Sequence, residues 1–367
     1  MAVLVSCLLT ACASNDGGSE ADEGSSEDAV VTASCAGAAC PSLAQPAPLV
    51  RGGLATVGDE LYWIGVGSSK DASGNAYDEL QHCTLPSCST ITRLPLIVPG
   101  AELFWAHHLE SIGSAGVLFE TSQLGESHTR LYVSDGSTFH QVFASSTAHA
   151  VDGNGLLVYE KDRRRDGWAA SKLSYCAFNG LELAQPCVTY RHESLNDLGS
   201  IALTPTHAVI VQGWGVMALD RGTLKGSTVL PVATREGNAN VSTIGEFVFG
   251  MELHVYERSG QTFHDTSLFG GKDGFGGTID GALDSFISSG SRGYVTTRGE
   301  GDVWERPHTG VVARINPTAN VRFTRNLATE QDGYALALSS TDVYWLNRIG
   351  APSPAAAAVS VVRHTKK

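Results

Sequence analysis

Eight polar residues each stand shortly before a run of apolar, β-forming residues, and their side chains could bind a ligand. Carboxylates and imidazoles gathered in one pocket shift each other's pKa values, and such a pocket favours a small polar ligand. Loop ends face water and are polar in most proteins, so the pattern also has an ordinary structural explanation. The predicted ligand-binding residues are Arg51, His107, His108, His149, Asp197, Asn240, Asp284 and Asp332.

Two of these residues, His107 and His108, are adjacent in the chain. Successive side chains of a regular strand point to opposite faces of the sheet. We therefore expect that the two imidazoles do not face one ligand together.

Known catalytic motifs are absent from the sequence. It contains no GxSxG nucleophile motif, no HExxH zinc motif, no P-loop and no dinucleotide-binding glycine motif. Oxygen-bearing side chains alternate between Asp71 and Glu79 as in a calcium loop, but Ala76 stands where the sharp turn needs glycine. We therefore predict no catalytic residue, no metal and no cofactor.

The residues that precede Cys12 have the pattern of a processing signal. A short apolar run ends in Leu9-Thr10-Ala11-Cys12, which resembles the lipobox of bacterial lipoproteins. The resemblance implies that residues 1–11 are a cleaved signal peptide and that Cys12 carries the lipid. An ordinary secretory signal with a chance cysteine is the alternative. Ala13 follows the cysteine where an Asp would favour retention at the inner membrane, so the resemblance favours the outer membrane.

Residues 12–46 are predicted to form the lipidated end and an acidic tether. Six acidic and no basic residues lie between positions 13 and 34, and such a segment has too little apolar surface to fold. Removing these six from the total of 38 acidic residues leaves 32 against 25 basic ones, a net charge of −7. A moderately acidic domain argues against nucleic acid as a partner.

The six cysteines beyond Cys12 form pairs that are close in sequence. An even number of cysteines in short-range pairs is typical of an oxidising compartment, and we predict disulfides. A zinc site is the alternative, although it would need a matching second pair nearby. The predicted bridges join Cys35 to Cys40, Cys83 to Cys88 and Cys176 to Cys187.

A unit of two strands joined by a polar turn recurs seven times. The second strands begin at residues 61, 117, 156, 208, 247, 293 and 343, which are 39 to 56 residues apart. Four-stranded propeller blades repeat at about 40–50 residues. The pattern predicts an all-β fold, a β-propeller of seven four-stranded blades over residues 47–367. A six-bladed ring, a pair of β-sandwiches and a β-helix are the alternatives.

The ring is expected to close through an amino-terminal strand. The last unit offers three strands, and Ala47–Arg51 could supply the fourth. The Tyr-Trp pairs that begin at Tyr62 and Tyr344, together with the hairpin that carries Cys83 and Cys88, resemble bacterial lipoproteins with propeller repeats. They are also similar to YWTD-type propellers. The resemblance implies a fold and an envelope location but names no activity.

These observations favour a membrane-anchored binding or scaffold module at the cell envelope, periplasmic or exposed on the surface. Its partners would be the membrane, through the lipid anchor, and another envelope protein or an extracellular ligand. The alternative is a propeller hydrolase, lyase or lactonase that uses the polar residues at the mouth of the central channel.

Overall fold

The computed structural model of the chain describes residues 35–36, 42–44, 50–70, 74–98, 104–123, 128–161, 171–191, 198–212, 215–226, 228–231, 242–244, 247–249, 254–259, 262–267, 283–289, 292–297, 310–316, 323–331, 333–349 and 358–365. All the regular elements in these ranges are β-strands. No helix with the length and apolar character needed to cross a membrane occurs in them.

The strands are short, as expected for a chain rich in turn-forming residues. In the first half they are β1 (Cys35–Ala36), β2 (Ser42–Ala44), β3 (Val50–Val57), β4 (Glu60–Lys70), β5 (Ala76–Thr84), β6 (Thr92–Pro95), β7 (Phe104–Ser111), β8 (Val117–Gln123), β9 (Thr129–Ser134), β10 (Phe139–Ser146), β11 (Ala148–Asp152), β12 (Gly155–Glu160), β13 (Lys172–Asn179), β14 (Glu182–Leu183) and β15 (Val188–Arg191). In the second half they are β16 (Leu198–Leu203), β17 (His207–Gln212), β18 (Gly215–Asp220), β19 (Thr228–Pro231), β20 (Ser242–Ile244), β21 (Phe247–Phe249), β22 (His254–Ser259), β23 (Thr262–Ser267), β24 (Leu283–Ser289), β25 (Arg292–Thr297), β26 (Gly310–Asn316), β27 (Phe323–Gln331), β28 (Gly333–Leu338), β29 (Asp342–Ile349) and β30 (Ala358–Thr365).

Within the described ranges the strands form seven sheets. Sheet 1 is β3-β4-β5-β6, sheet 2 is β7-β8-β9-β10, and sheet 3 is β11-β12-β13 with both β14 and β15 on β13. Sheet 4 is β16-β17-β18-β19, and sheet 5 is β20-β21-β22-β23. Sheet 6 is β24-β25-β26-β27 with β1 parallel to β27, and sheet 7 is β28-β29-β30-β2. The other pairings are antiparallel.

The repeat read from the sequence corresponds to these sheets. The predicted strand pairs are the first and second strands of each sheet, so the prediction of four-stranded antiparallel sheets is confirmed. Second strands whose side chains are described are apolar because they are covered on both faces: Trp63 and Ile64 in β4 and Trp345 in β29 are completely buried. Burying an aromatic or aliphatic side chain of this size contributes roughly 1.5–3 kcal/mol.

The apolar cores lie between consecutive sheets. Sheets 1 and 2 share a cluster around Leu80 and Phe119, sheets 2 and 3 share one around Val133 and Leu156, and sheets 3 and 4 share one around Ile210. Sheets 1 and 7, at opposite ends of the chain, also share a cluster. Its members include Leu54, Trp63, Ala337, Tyr344 and Leu346.

The first strands of the sheets follow one another in space. Strand β3 lies against β7, β11 against β16, and β24 against β28. Strand β28 in turn lies against β3. There the Thr56 hydroxyl donates a hydrogen bond to the carbonyl of Leu338, across the boundary between sheets 1 and 7.

The amino-terminal strand that pairs with the last sheet differs from the predicted one. Ser42–Ala44 pairs antiparallel with Val361 and Val362 of β30, while Val50 and Arg51 of the expected segment belong to β3. Strand β3 continues from Leu54 back to Val50, and two residues along this stretch are skipped in the pairing with β4. The predicted tether, residues 12–46, accordingly contains the two short strands β1 and β2.

Two of the predicted disulfides are confirmed. Cys83 in β5 is bonded to Cys88 in the following turn, with Cα atoms 4.9 Å apart. Cys176 in β13 is bonded to Cys187, with Cα atoms 4.5 Å apart. Each bridge closes a small loop at the outer part of its sheet. The bridge from Cys35, in β1, to Cys40 stays a prediction, because Cys40 lies outside the described residues, as does Cys12.

Candidate ligand site

A β-bulge in β7 brings the adjacent histidines to the same side of the sheet. His107 is paired with Glu120 of β8, the next pair is Leu109 with Phe119, and His108 is skipped. The backbone of His108 is in the left-handed region, with φ of +49°. The expectation that His107 and His108 face opposite ways is therefore wrong, because the extra residue interrupts the alternation of the strand.

The left-handed conformation is costly for a residue with a side chain, by roughly 1–2 kcal/mol. Strand β3 also skips a residue close to the turn that leads into β4. That residue is Gly53, whose φ of +72° has no such cost because glycine has no side chain. Strained residues of this kind concentrate at functional sites. A histidine where a glycine would fit the backbone better marks His108 as a candidate functional residue.

His107, His108 and Glu120 form a compact group of potential ligand atoms. Glu120 Oε2 lies 3.7 Å from His107 Nε2 and 3.9 Å from His108 Nε2. One ligand atom from each of the three residues lies within 4.8 Å of the others. Glu120 is 11% exposed in its side chain, His107 31% and His108 70%, so the group is open on the His108 side. The two imidazole rings meet edge to face, with centroids 5.2 Å apart.

The tautomer of His107 follows from its second ring nitrogen. Nδ1 lies 3.2 Å from the carbonyl oxygen of Trp105, which can only accept a hydrogen bond. Nδ1 therefore carries the proton, and the lone pair of Nε2 faces Glu120. Burial lowers the pKa of His107, assisted by His108 and His149 and opposed by Glu120.

A second histidine–glutamate pair joins the neighbouring sheet to this group. His149 of β11 lies with Nε2 3.0 Å from Oε2 of Glu110 on β7, and its side chain is 8% exposed. Burial lowers the pKa of His149, but the hydrogen bond to Glu110 and the charges of Glu110 and Glu120 outweigh it and raise the pKa overall. The hydrogen bond between His149 and Glu110 joins sheets 2 and 3.

The structure brings together some of the eight predicted ligand-binding residues. His107, His108 and His149 share one region, whereas Asp197, Asn240 and Asp332 lie outside the described residues. Five of the seven first strands skip residues in their pairing, and the predicted set contributes to three of these bulges. The skipped residues are Arg51 and Gly53 in β3, His108 in β7, Gly199 in β16, Asp284 in β24 and Tyr334 in β28.

Glu110 and Glu120 were not identified from the sequence. Glu120 ends an apolar run, Val117-Leu-Phe, in a strand that is buried on both faces. An acidic residue in such a strand is the signal that could have identified it, because buried carboxylates need a partner. The pairing of Glu120 with His107 depends on strand register, which the sequence alone does not define.

The possible calcium loop has a structural role in the part that is described. Asp78 Oδ2 accepts a hydrogen bond of 2.8 Å from the backbone N–H of Ala106 and so joins sheets 1 and 2. Glu79 accepts hydrogen bonds from Gln81 and Arg93. Both carboxylates are buried and engaged by the protein. Asp71 lies outside the described residues.

No family model matches the sequence, and no curated protein matches it either. Solved structures with a similar fold do exist. The β-propeller domain of the Trilobed protease from Pyrococcus furiosus has a TM-score of 0.53 and 8% identity, over 86% of this chain and 93% of that domain. The acylaminoacyl peptidase of Pyrococcus horikoshii has a TM-score of 0.51 and 10% identity, over 86% of this chain.

A structure from an analysis of two prolyl endopeptidases is similar at a TM-score of 0.51 and 12% identity, over 86% of this chain. The chain spans 50% of the acylaminoacyl peptidase and 48% of the prolyl endopeptidase structure, about half of each. At these identities the similarity extends to the fold alone. The chain is therefore an all-β protein of antiparallel four-stranded sheets with the fold of a β-propeller.

Proposed function

We propose that the protein is a lipid-anchored β-propeller that serves as a binding or scaffold module at the cell envelope. The observation that carries the proposal is the group formed by His107, His108 and Glu120, with His149 and Glu110 beside it. Three histidines from the first strands of two sheets gather with two carboxylates around a partly open surface. Such convergence of titratable groups is typical of a ligand site.

The propeller in this proposal has seven blades and a closed ring. The contact of β28 with β3, the core shared by sheets 1 and 7, and the hydrogen bond from Thr56 to Leu338 support closure. The pairing of β2 with β30 supports a closing strand from the amino-terminal side. A closed ring leaves only short sheet edges exposed, which protects it from pairing with other chains.

The anchor in this proposal is the lipid on Cys12, after removal of residues 1–11, and the outer membrane is the favoured location. The two confirmed disulfides support an oxidising compartment. Replacing Cys12→Ser should abolish labelling with a fatty-acid analogue and move the protein from the membrane to the soluble fraction. Labelling and membrane association that survive the replacement would contradict the anchor.

Photo-crosslinking in cells of the source organism tests the binding site. Trp105, 37% exposed, lies two residues before His107, and Ile97, 42% exposed, lies after β6 of sheet 1. A photoreactive phenylalanine derivative in place of Trp105 should give a covalent adduct of higher mass, identified by mass spectrometry. The same derivative in place of Ile97 is the matched control and should give none. Equal adducts at both positions, or none at Trp105, would contradict the site.

A hydrolase or lyase is the second candidate, because imidazoles and carboxylates at a partly open surface are the groups that most often act as general acids and bases. His107 and Glu120 lie beside solvent-exposed His108, so a substrate could reach them from that side. The similar structures include peptidases, but their propellers are one part of longer chains. Hydrolysis of peptides or lactones by the purified protein, lost in His107→Gln and retained in His82→Gln, would favour this candidate over the binding module.

A further inference from the structure

We propose that His107, His108 and Glu120 bind a divalent transition-metal ion of the zinc class and leave one coordination position open. The inference rests on the proposed function and deepens it, since it names the chemistry by which the same residues would hold a ligand. Neither the spacing of these residues in the sequence nor the fold predicts such a site, because it depends on the bulge at His108.

The donor atoms are close to the separation that an ion requires. Zinc bonds of about 2.0–2.2 Å in tetrahedral geometry put neighbouring donors about 3.3 Å apart. The carboxylate oxygen of Glu120 lies 3.7 and 3.9 Å from the two Nε2 atoms. Each imidazole must move a few tenths of an ångström closer to the carboxylate, and the two imidazole nitrogens, which lie within 4.8 Å of each other, must also approach. His108, 70% exposed, has the freedom to turn toward the other two donors.

The donors are also of the right kind. Two imidazoles and one carboxylate are a common ligand set for catalytic zinc and for other divalent transition metals. A metal-bound histidine usually donates its other ring N–H to a carbonyl or carboxylate, which holds the ring and directs its lone pair. His107 has this arrangement already, with Nδ1 directed at the Trp105 carbonyl and Nε2 at Glu120.

The surroundings tolerate a cation. Glu120 is buried in an apolar strand, and its carboxylate has the imidazoles of His107 and His108 within 4 Å. Nearby His149 is hydrogen-bonded to Glu110 at 3.0 Å, so a positive charge on its ring would have a carboxylate of its own. Three protein ligands leave a fourth position on the open side beside His108. A carboxylate or carbonyl oxygen of the ligand would bind there in place of water.

Metal titration of the purified full chain, free of any histidine tag and stripped with EDTA, tests the inference. Competition between the protein and a chromophoric chelator for ZnCl2 should report one equivalent of bound zinc. Glu120→Gln and His107→Gln should each weaken zinc binding by at least about 10-fold, since even residues behind the ligands contribute that much. Cobalt(II) should give a visible absorption band that the same variants lose.

Two further variants make each outcome decisive. His82→Gln is the matched control, because His82 contacts a single carboxylate, Glu60, at 2.9 Å and should not affect zinc affinity. His108→Asn removes an exposed ligand but tolerates the left-handed backbone, so it tests the site if Glu120→Gln does not fold. Absence of zinc binding, or equal affinity in all variants, would overturn the metal site. Neither result would affect the cross-link at Trp105, which tests the binding proposal separately.

Discussion

At the scale of single residues, Arg221 shows how much one side chain contributes to the contact between sheets. Its guanidinium forms a bidentate pair with Asp152, one arm being the 2.7 Å bond from Nη2 to Oδ1. Nε donates to the Tyr175 hydroxyl at 2.7 Å, and the guanidinium lies 4.8 Å from the centre of that ring. Burial lowers the pKa of Arg221, but the bonds to Asp152 and Tyr175 outweigh it and raise the pKa overall. The guanidinium of Arg221 thus joins sheets 3 and 4.

Arg221→Lys should destabilise the protein by about 2–4 kcal/mol, because an ammonium group cannot form the bidentate pair and the stacking contact together. Urea unfolding measures the loss. Arg191→Lys, at an exposed position of β15, is the matched control and should change stability by less than about 0.5 kcal/mol. Equal stability of the two variants would contradict the role of Arg221.

Asp135 makes the turn between β9 and β10 sensitive to acid. Its Oδ1 accepts hydrogen bonds from the N–H groups of Ser137 at 2.8 Å and Thr138 at 2.9 Å. These backbone bonds, first that of Thr138 and then that of Ser137, lower the pKa of Asp135 to about 2. The folded state therefore holds this proton less tightly than the unfolded chain, for which the pKa is 3.8.

The contribution of Asp135 to stability should be complete above pH 4 and be lost as the pH falls toward about 2. Thermal unfolding of the protein and of Asp135→Asn at several pH values between these limits measures it. The gap in melting temperature should narrow as the pH falls. A gap that is constant from neutral pH to pH 2 would contradict the assignment.

At the scale of elements, the alternation of apolar residues predicts which strands pair, but not where a ladder skips a residue. Leu61-Tyr-Trp-Ile and its six counterparts identify the second strands correctly, because an apolar run bounded by turn residues is typical of a strand inside a sheet. The bulge at His108 leaves no comparable mark, since one extra residue changes register without changing composition. The position of Glu120 opposite His107 depends on that register, so the sequence pattern does not predict it either.

The bulge in β3 sets how closely two first strands approach. A Cβ atom added to Gly53 would lie 2.5 Å from Cβ of Leu109 in β7, and the backbone at Gly53 has φ of +72°. Gly58 has a similar φ of +58°, with no heavy atom within 4 Å of the added Cβ. The two glycines therefore share a backbone conformation that disfavours a side chain. Only Gly53 has a neighbour that an added Cβ would overlap.

Gly53→Ala should destabilise the protein by about 1–3 kcal/mol more than Gly58→Ala, because it adds overlap to the same backbone cost. Denaturant unfolding of both variants measures the difference. Similar losses would mean that β3 and β7 can separate without penalty.

At the scale of the whole molecule, the first and last sheets share a core and a hydrogen bond. Trp63 of β4 and Tyr344 of β29 belong to one apolar cluster, although they are almost the whole chain apart. The residues of this cluster could be identified from the sequence as buried strand residues. The ring predicted from the repeat implies that the first and last sheets meet, but the sequence pattern does not define which residues of the two sheets come into contact.

Truncation tests the closing strand. Removal of residues 1–40 leaves β2 in place, whereas removal of residues 1–45 also deletes Ser42–Ala44 and its pairing with β30. The longer truncation should lower the melting temperature relative to the shorter one, because β30 loses its neighbour. Identical melting temperatures would contradict the proposal that β2 closes the ring.

The path of the amino-terminal segment also decides how the molecule responds to mechanical load. From its amino-terminal side the chain first borders β27 of sheet 6 through β1, then β30 of sheet 7 through β2, and only then enters sheet 1 as β3. A pull on the amino terminus would be carried first by these two short outer strands. These two strands would lose their pairing first. The chain that they release would lengthen before the shared core of sheets 1 and 7 was loaded.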